Sequence, residues 1–75
     1  MAKKKLNRIK VILVEKDKKI NWLATQVNKS TNTVSLWCNN KRQPSLESLY
    51  EVANVLDVDI YDLLISTRDL KESKE

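Results

Sequence analysis

The residues best equipped for chemistry sit close together between positions 31 and 42. If Thr31–Cys38 is a helix, successive side chains turn about 100° apart. Thr31, Asn32, Ser35, Leu36 and Asn39 then share one face, and Val34, Trp37 and Cys38 the opposite one. A row of hydroxyls and carboxamides offers directed donors and acceptors, and the Lys41-Arg42 pair just beyond adds fixed positive charge. That set suits recognition through hydrogen bonds and ion pairs rather than bond-making. A polar helix face is most often simply solvated, but Leu36 is a large apolar residue on this one.

Other chemistries are excluded by what is missing. The 75 residues contain no histidine, no glycine and one cysteine, Cys38. The commonest general base and metal ligand is therefore absent. Glycine-rich phosphate loops are ruled out, and one cysteine builds neither an internal disulfide nor a cysteine-based zinc site. No catalytic residue, cofactor or metal is expected. No apolar run approaches the roughly 20 residues of a membrane span, and no signal-peptide pattern opens the chain. A cytoplasmic location near the nucleoid is expected, with a lone cysteine that fits a reducing compartment.

Charge is divided unevenly. Residues 1–42 carry eleven Lys and Arg against two acids, a net +9, and residues 43–75 carry three against eight, a net −5. A basic half beside an acidic one points to a polyanion on one side, although lysine-rich surfaces also serve solubility alone.

The elements that must position these side chains follow from the apolar spacing. A chain this short makes one domain that buries about 60% of its unfolded surface, so self-association would add useful stability. Residues 1–5 read as a basic arm and 66–75 as a charged tail without an apolar stripe, leaving 6–65 as the domain. Leu6, Ile9, Ile12 and Leu13 make the stripe of a first helix over Leu6–Lys16. Its Val11-Ile12-Leu13-Val14 run is rich in β-branched residues that favour strands. Helix is preferred because the spacing extends beyond the run and no partner strand is evident. Val11 and Val14 then fall off the stripe.

Ile20, Leu23, Ala24 and Val27 form the stripe of a second helix, with Trp22 opposite it. Trp22 is expected to pack on the first helix or on lysine stems, and Cys38 to be a small half-buried apolar residue. The hinge Asn28-Lys29-Ser30 supplies an asparagine that tolerates a left-handed helix end and a serine that caps the next helix. Two short helices set at an angle by a tight polar turn carry the signature of a helix-turn-helix. After the basic loop and the sole proline, Pro44, Ser45 caps a fourth helix with Glu47 in its first turn. Its core stripe is Leu46, Leu49, Val52, Ala53 and Leu56, and Asp57 ends it. Asp59 opens a fifth helix with Asp62 three residues on, and Ile60, Leu63 and Leu64 face inward.

The pattern LATQVNKSTNTVSLWCNNKRQPSLESLYEVANVLDVDIYDLL resembles the Cro/repressor-type helix-turn-helix regulators. The resemblance runs from about Ile9 to Leu64. It rests on Leu23-Ala24, on Ser30-x-x-Thr33-Val34-Ser35, on Trp37, on Asn39-x-Lys41 and on Pro44-Ser45-Leu46-Glu47-x-Leu49. It implies an all-α fold, a compact five-helix lambda-repressor-like domain with the helix-turn-helix at helices 2 and 3. This sequence departs from the family pattern in four places. Asn28 and Asn40 stand where glycine is usual, and asparagine is the best non-glycine residue for a left-handed backbone. Ile20 replaces a glutamine that often contacts phosphate, leaving Asn21 or Lys19 to substitute. Lys29 occupies a usually apolar position.

The resemblance further implies sequence-specific binding of double-stranded DNA by a transcriptional regulator, with the third helix in the major groove. Base readout would fall to Thr31, Asn32, Ser35 and Leu36: Asn32 bidentate to adenine, Ser35 donating or accepting, Thr31 or Leu36 touching a thymine methyl. Lys19, Asn21, Thr33, Asn39, Lys41 and Arg42 would contact phosphates. A homodimer on a pseudo-palindromic site is implied by family habit, with the acidic fourth and fifth helices as its surface. Neither a membrane nor a small-molecule effector site is indicated. The competing reading from another class is a protein-interaction module, an antitoxin or adaptor, anchored by Trp22, Val11 and Val14. RNA is disfavoured because no exposed aromatic pair offers a stacking platform.

Overall fold

The computed structural model describes residues 5–68, which form four α-helices and one 3-10 turn. The helices are α1 (Ile9–Glu15), α2 (Ile20–Gln26), α3 (Thr31–Cys38) and α4 (Leu46–Leu56), and the 3-10 turn is Ile60–Leu63. Among the described residues there is no β-strand, only one isolated antiparallel bridge between Asn7 and Leu64. The expected arm at 1–5 and tail at 66–75 lie outside the described residues apart from Lys5 and Ser66–Arg68.

One core serves all the helices. α1 contributes Ile9, Ile12 and Leu13, α2 Leu23 and Ala24, α3 Val34, Trp37 and Cys38, and α4 Leu49, Val52, Ala53 and Leu56. Val27 and Leu63 complete it, and Ile20 and Trp22 pack against its edge. These are the residues whose helical spacing puts them on one stripe, so burial follows the sequence period with few exceptions. α2 packs on α3, α1 touches α3, and the 3-10 turn closes on α4 and α1.

Each helix starts and stops by a local device. Ser30 Oγ accepts the Thr33 N–H at 3.0 Å, and Ser45 Oγ accepts the Ser48 N–H at 3.1 Å. Both satisfy an amide that the first turn of a helix leaves unpaired. The stops are more unusual. Asp17, Asn28, Asn40 and Asp57 all have a left-handed backbone, with φ between 57° and 59°. After each helix the next residue's N–H reaches back to a carbonyl five residues earlier: Lys18 to Leu13, Lys29 to Ala24, Lys41 to Leu36 and Val58 to Ala53. That is the bond pattern of the glycine-ended Schellman turn, here built four times in a chain without glycine. Asp and Asn fill the position because their short polar side chains tolerate the left-handed region better than other residues do.

Three expectations change. The first helix begins at Ile9, not Leu6, because the preceding backbone is committed elsewhere. The Arg8 N–H donates to the Leu63 carbonyl at 2.8 Å, and the Leu6 carbonyl accepts the Ile65 N–H at 3.1 Å. Leu6 is accordingly outside the core. The fifth helix is a single 3-10 turn, whose Asp62 carboxylate accepts the Asp59 N–H at 3.2 Å. It is too short to form an apolar face, so only Leu63 is buried while Leu64 is exposed and Ile60 half-buried. Leu46 does not join the core of α4 and remains 75% exposed. The stripe of α4 begins instead one turn later at Leu49.

Candidate nucleic-acid interface

The side chains expected to read bases lie on the outward face of α3. Thr31 and Asn32 are exposed, and Ser35 and Leu36 are half-buried, while Val34, Trp37 and Cys38 turn into the core. The face is therefore rigidly presented: its backbone cannot roll without uncovering Trp37, which is only 4% exposed. Asn39, just past the helix, extends the same row, with its Nδ2 donating to Ser35 Oγ at 3.5 Å. No metal-binding cluster of acids and cysteine occurs among the described residues.

The residues assigned to phosphates fall into two groups and one outlier. Lys19 and Asn21 border one open depression where α2 and α3 begin, which the base-reading candidate Thr31 also lines. Asn39, Lys41 and Arg42 are exposed in the turn after α3. The N–H groups of Lys41 and Arg42 both donate to the Leu36 carbonyl, at 3.0 and 3.3 Å, which ties the basic turn to α3. Thr33 is the outlier. It is half-buried, and its hydroxyl accepts from Ser30 Oγ at 2.9 Å as part of the helix cap. Ile20, where a phosphate-contacting glutamine was expected, is half-buried and packs on the core.

What holds the basic turn was not foreseen. Asn40 and Asn7, both buried, form a polar network between residues 33 positions apart. Asn40 Oδ1 accepts the N–H groups of Leu6 (2.8 Å) and Asn7 (3.0 Å) and the Gln43 carboxamide (3.1 Å), and its Nδ2 donates to the Asn7 carbonyl at 3.2 Å. Asn7 Nδ2 donates to the Trp37 carbonyl and to Gln43 Oε1, at 3.0 and 2.7 Å, while its Oδ1 accepts the Ile9 N–H at 3.1 Å. Every side-chain polar atom buried in the described residues has a partner. The network fastens the chain before α1 to the turn that carries Lys41 and Arg42. Asn40 was legible as a left-handed residue, but no local pattern reveals that its side chain meets Asn7.

Cys38 lies at the inner end of α3, and burial pushes its thiol up to about 11, with Lys10 pulling weakly the other way. It stays protonated near neutrality and is an apolar filler rather than a nucleophile. Trp22 is half-buried against the core, and Lys18 Nζ sits 4.7 Å from its ring centroid. The lysine-packing expectation for Trp22 holds. On α4 and the 3-10 turn, Leu46, Tyr50 and Tyr61 are strongly exposed, and Leu46, Glu47, Tyr50, Glu51 and Ile60 border a shallow depression of about 560 Å³.

The family of Cro/C1-type HTH DNA-binding domains matches over residues 8–69. The chain belongs to that family. Its members are DNA-binding domains and typically not enzymes. A provisionally assigned DNA-binding protein from Bacteroides fragilis is similar at 55% identity, over 80% of this chain and 97% of its own, with a TM-score of 0.79. A hypothetical transcription factor from Neisseria, NHTF, shares the fold at a TM-score of 0.71 and 21% identity, over 88% of this chain and 76% of its own. No curated protein matches significantly. The domain thus binds DNA through an all-helical fold, and no helix among its described residues is long and apolar enough to cross a membrane.

Proposed function

We propose that the chain is a sequence-specific regulator of transcription that binds double-stranded DNA by inserting α3 into the major groove. α2 and α3 act as the helix-turn-helix pair, within a domain spanning residues 6–65. The observation that carries this reading is the division of α3: its inner face is locked in the core, and its outer face presents Thr31, Asn32, Ser35 and Leu36. Asn32 is suited to bidentate pairing with adenine, and Leu36 or the Thr31 methyl to contact with a thymine methyl. Lys19, Asn21, Asn39, Lys41 and Arg42 flank that face and supply phosphate contacts. Thr33 joins them through its O–H, which stays free to donate because in the cap its oxygen only accepts from Ser30 Oγ.

The regulator works as a homodimer in the cytoplasm, on a pseudo-palindromic site with half-sites about 34 Å apart. The exposed Leu46, Tyr50 and Tyr61 favour α4 and the 3-10 turn as the dimer surface, since such clustered apolar and aromatic exposure is uncommon on a lone domain. Glu47 and Glu51 border the same surface. Two copies meeting there bring like charges together, so salt should strengthen the dimer while weakening phosphate contacts.

Selection of bound sites from a random duplex pool tests the reading directly. A two-fold symmetric consensus is expected. Recovery of no consensus, with no binding to random duplex even at low salt, would overturn it in favour of a protein-interaction module.

A further inference from the structure

Val11 and Val14 are apolar residues of α1 that its buried stripe leaves exposed, and the reading above gives them no part. With Cys38 and Ile65 they line a concavity of about 450 Å³, reached from α1, the end of α3 and the segment after the 3-10 turn. The buried Asn7, Cys38 and Asn40 form its floor. Every buried side-chain polar atom there already has a partner, so nothing on the floor calls for a hydrogen bond from a ligand. Charge is supplied separately. Lys5, Arg8 and Lys10 line the concavity against the single acid Glu15, an excess of two positive charges. An apolar hollow of this volume with a few charged groups has the form of a small-molecule site. A protein partner would need a far broader surface, about 800 Å² on each side.

We infer that this concavity binds a small amphipathic anion, a monocarboxylate with an apolar body. The body lies against Val11, Val14, Cys38 and Ile65, and the carboxylate meets the cations of Lys5, Arg8 and Lys10. Removal of apolar surface from water supplies most of the affinity. The exposed ion pairs add selectivity for an anion over an alcohol or an amine of the same length, and salt weakens that selectivity. None of the residues assigned to bases or phosphates lines the concavity, so the carboxylate and duplex DNA are held at the same time. The site is built from three separated stretches of chain, and no local pattern in the sequence reveals it.

The test titrates the full chain with octanoate, following the methyl resonances of Val11, Val14 and Ile65 without DNA. A ligand of this size should saturate with a dissociation constant of about 1 mM. Octanol should bind several-fold more weakly, and octylammonium more weakly still. K10Q should weaken octanoate several-fold and leave octanol unchanged, whereas V14N should weaken both. Val14 is 70% exposed, so V14N is expected to fold; if it does not, K10Q and the ligand series decide alone. A second arm adds octanoate to the chain on a duplex at constant ionic strength, and both should stay bound. Absence of a saturating shift, or shifts centred on Leu46 and Leu64 instead, overturns the site. Octanol binding as tightly as octanoate overturns the recognition of an anion. Displacement of the duplex in competition with octanoate would put the carboxylate on the α3 face and overturn the assignment. A chain that binds octanoate but no duplex overturns the reading of α3 and leaves this site standing.

Discussion

Asn28 and Asn40 hold the same backbone conformation and should respond oppositely to glycine. Their φ angles are 58° and 57°, and each ends a helix in the same bond pattern. Asn28 is exposed, and its side chain makes no hydrogen bond to the other described residues. For Asn28→Gly, relief of the left-handed conformation and the added freedom of the unfolded chain nearly offset, leaving stability unchanged or raised by up to about 1 kcal/mol. Asn40→Gly gains the same backbone relief but removes the acceptor for the N–H groups of Leu6 and Asn7 and the donor to the Asn7 carbonyl. Leu6 is exposed enough for water to replace its bond, whereas Asn7 is buried, 5% exposed. Two buried groups left unpaired cost about 1–3 kcal/mol each. Subtracting the backbone relief leaves a net loss of about 1–6 kcal/mol. For a domain of this size each kcal/mol lowers Tm by about 4–8 °C. Urea unfolding of both variants, with m values checked for constancy, measures the contrast. If Asn40→Gly proves as stable as Asn28→Gly, the network is not holding the basic turn and the reasoning fails.

Other outcomes follow from single contacts. Ser45→Ala removes the acceptor for the Ser48 N–H and should cost about 1 kcal/mol by urea unfolding; a neutral result would mean that water caps α4 equally well. The Cys38 thiol is raised from 9.0 to about 11 in the fold. The unfolded chain therefore releases its proton first, and stability should fall as pH climbs from 9 towards 11. Cys38→Ala should lack that component of the decline, and identical pH profiles would contradict it. On DNA, Asn32→Ala should lose about 1–3 kcal/mol and relax preference at one base pair, while Lys41→Ala with Arg42→Ala should weaken all sequences alike and flatten the salt slope. A loss from Asn32→Ala spread evenly over random DNA, or an unchanged slope in the double variant, would remove those assignments.

The order of the helices, their caps and most of the core follow from information that is local in the chain. Ser30 and Ser45 cap because a serine oxygen reaches an amide three residues on, whatever surrounds it. Val34, Trp37 and Cys38 bury together because helical pitch alone puts them on one side. Asn28 and Asn40 were legible as left-handed ends for the same reason, since a residue's tolerance of positive φ is its own property. The outward face of α3 is the complement of its buried one and was readable with it.

Tertiary structure decided what depends on segments distant in sequence. Nothing near Leu6 shows that its backbone pairs with Ile65 instead of starting a helix, so the onset of α1 could not be placed from spacing. Nothing near Asn40 shows that its carboxamide serves Asn7, 33 residues earlier, and thereby anchors the turn bearing Lys41 and Arg42. The exposure of Leu46 and Leu64 likewise depends on where neighbouring elements end, not on their own period. Lys10, Lys18 and Lys19 share a depression only because α1 passes the start of α3. Local chemistry determined which residues could face outward; long-range hydrogen bonds and packing determined which of them stand side by side.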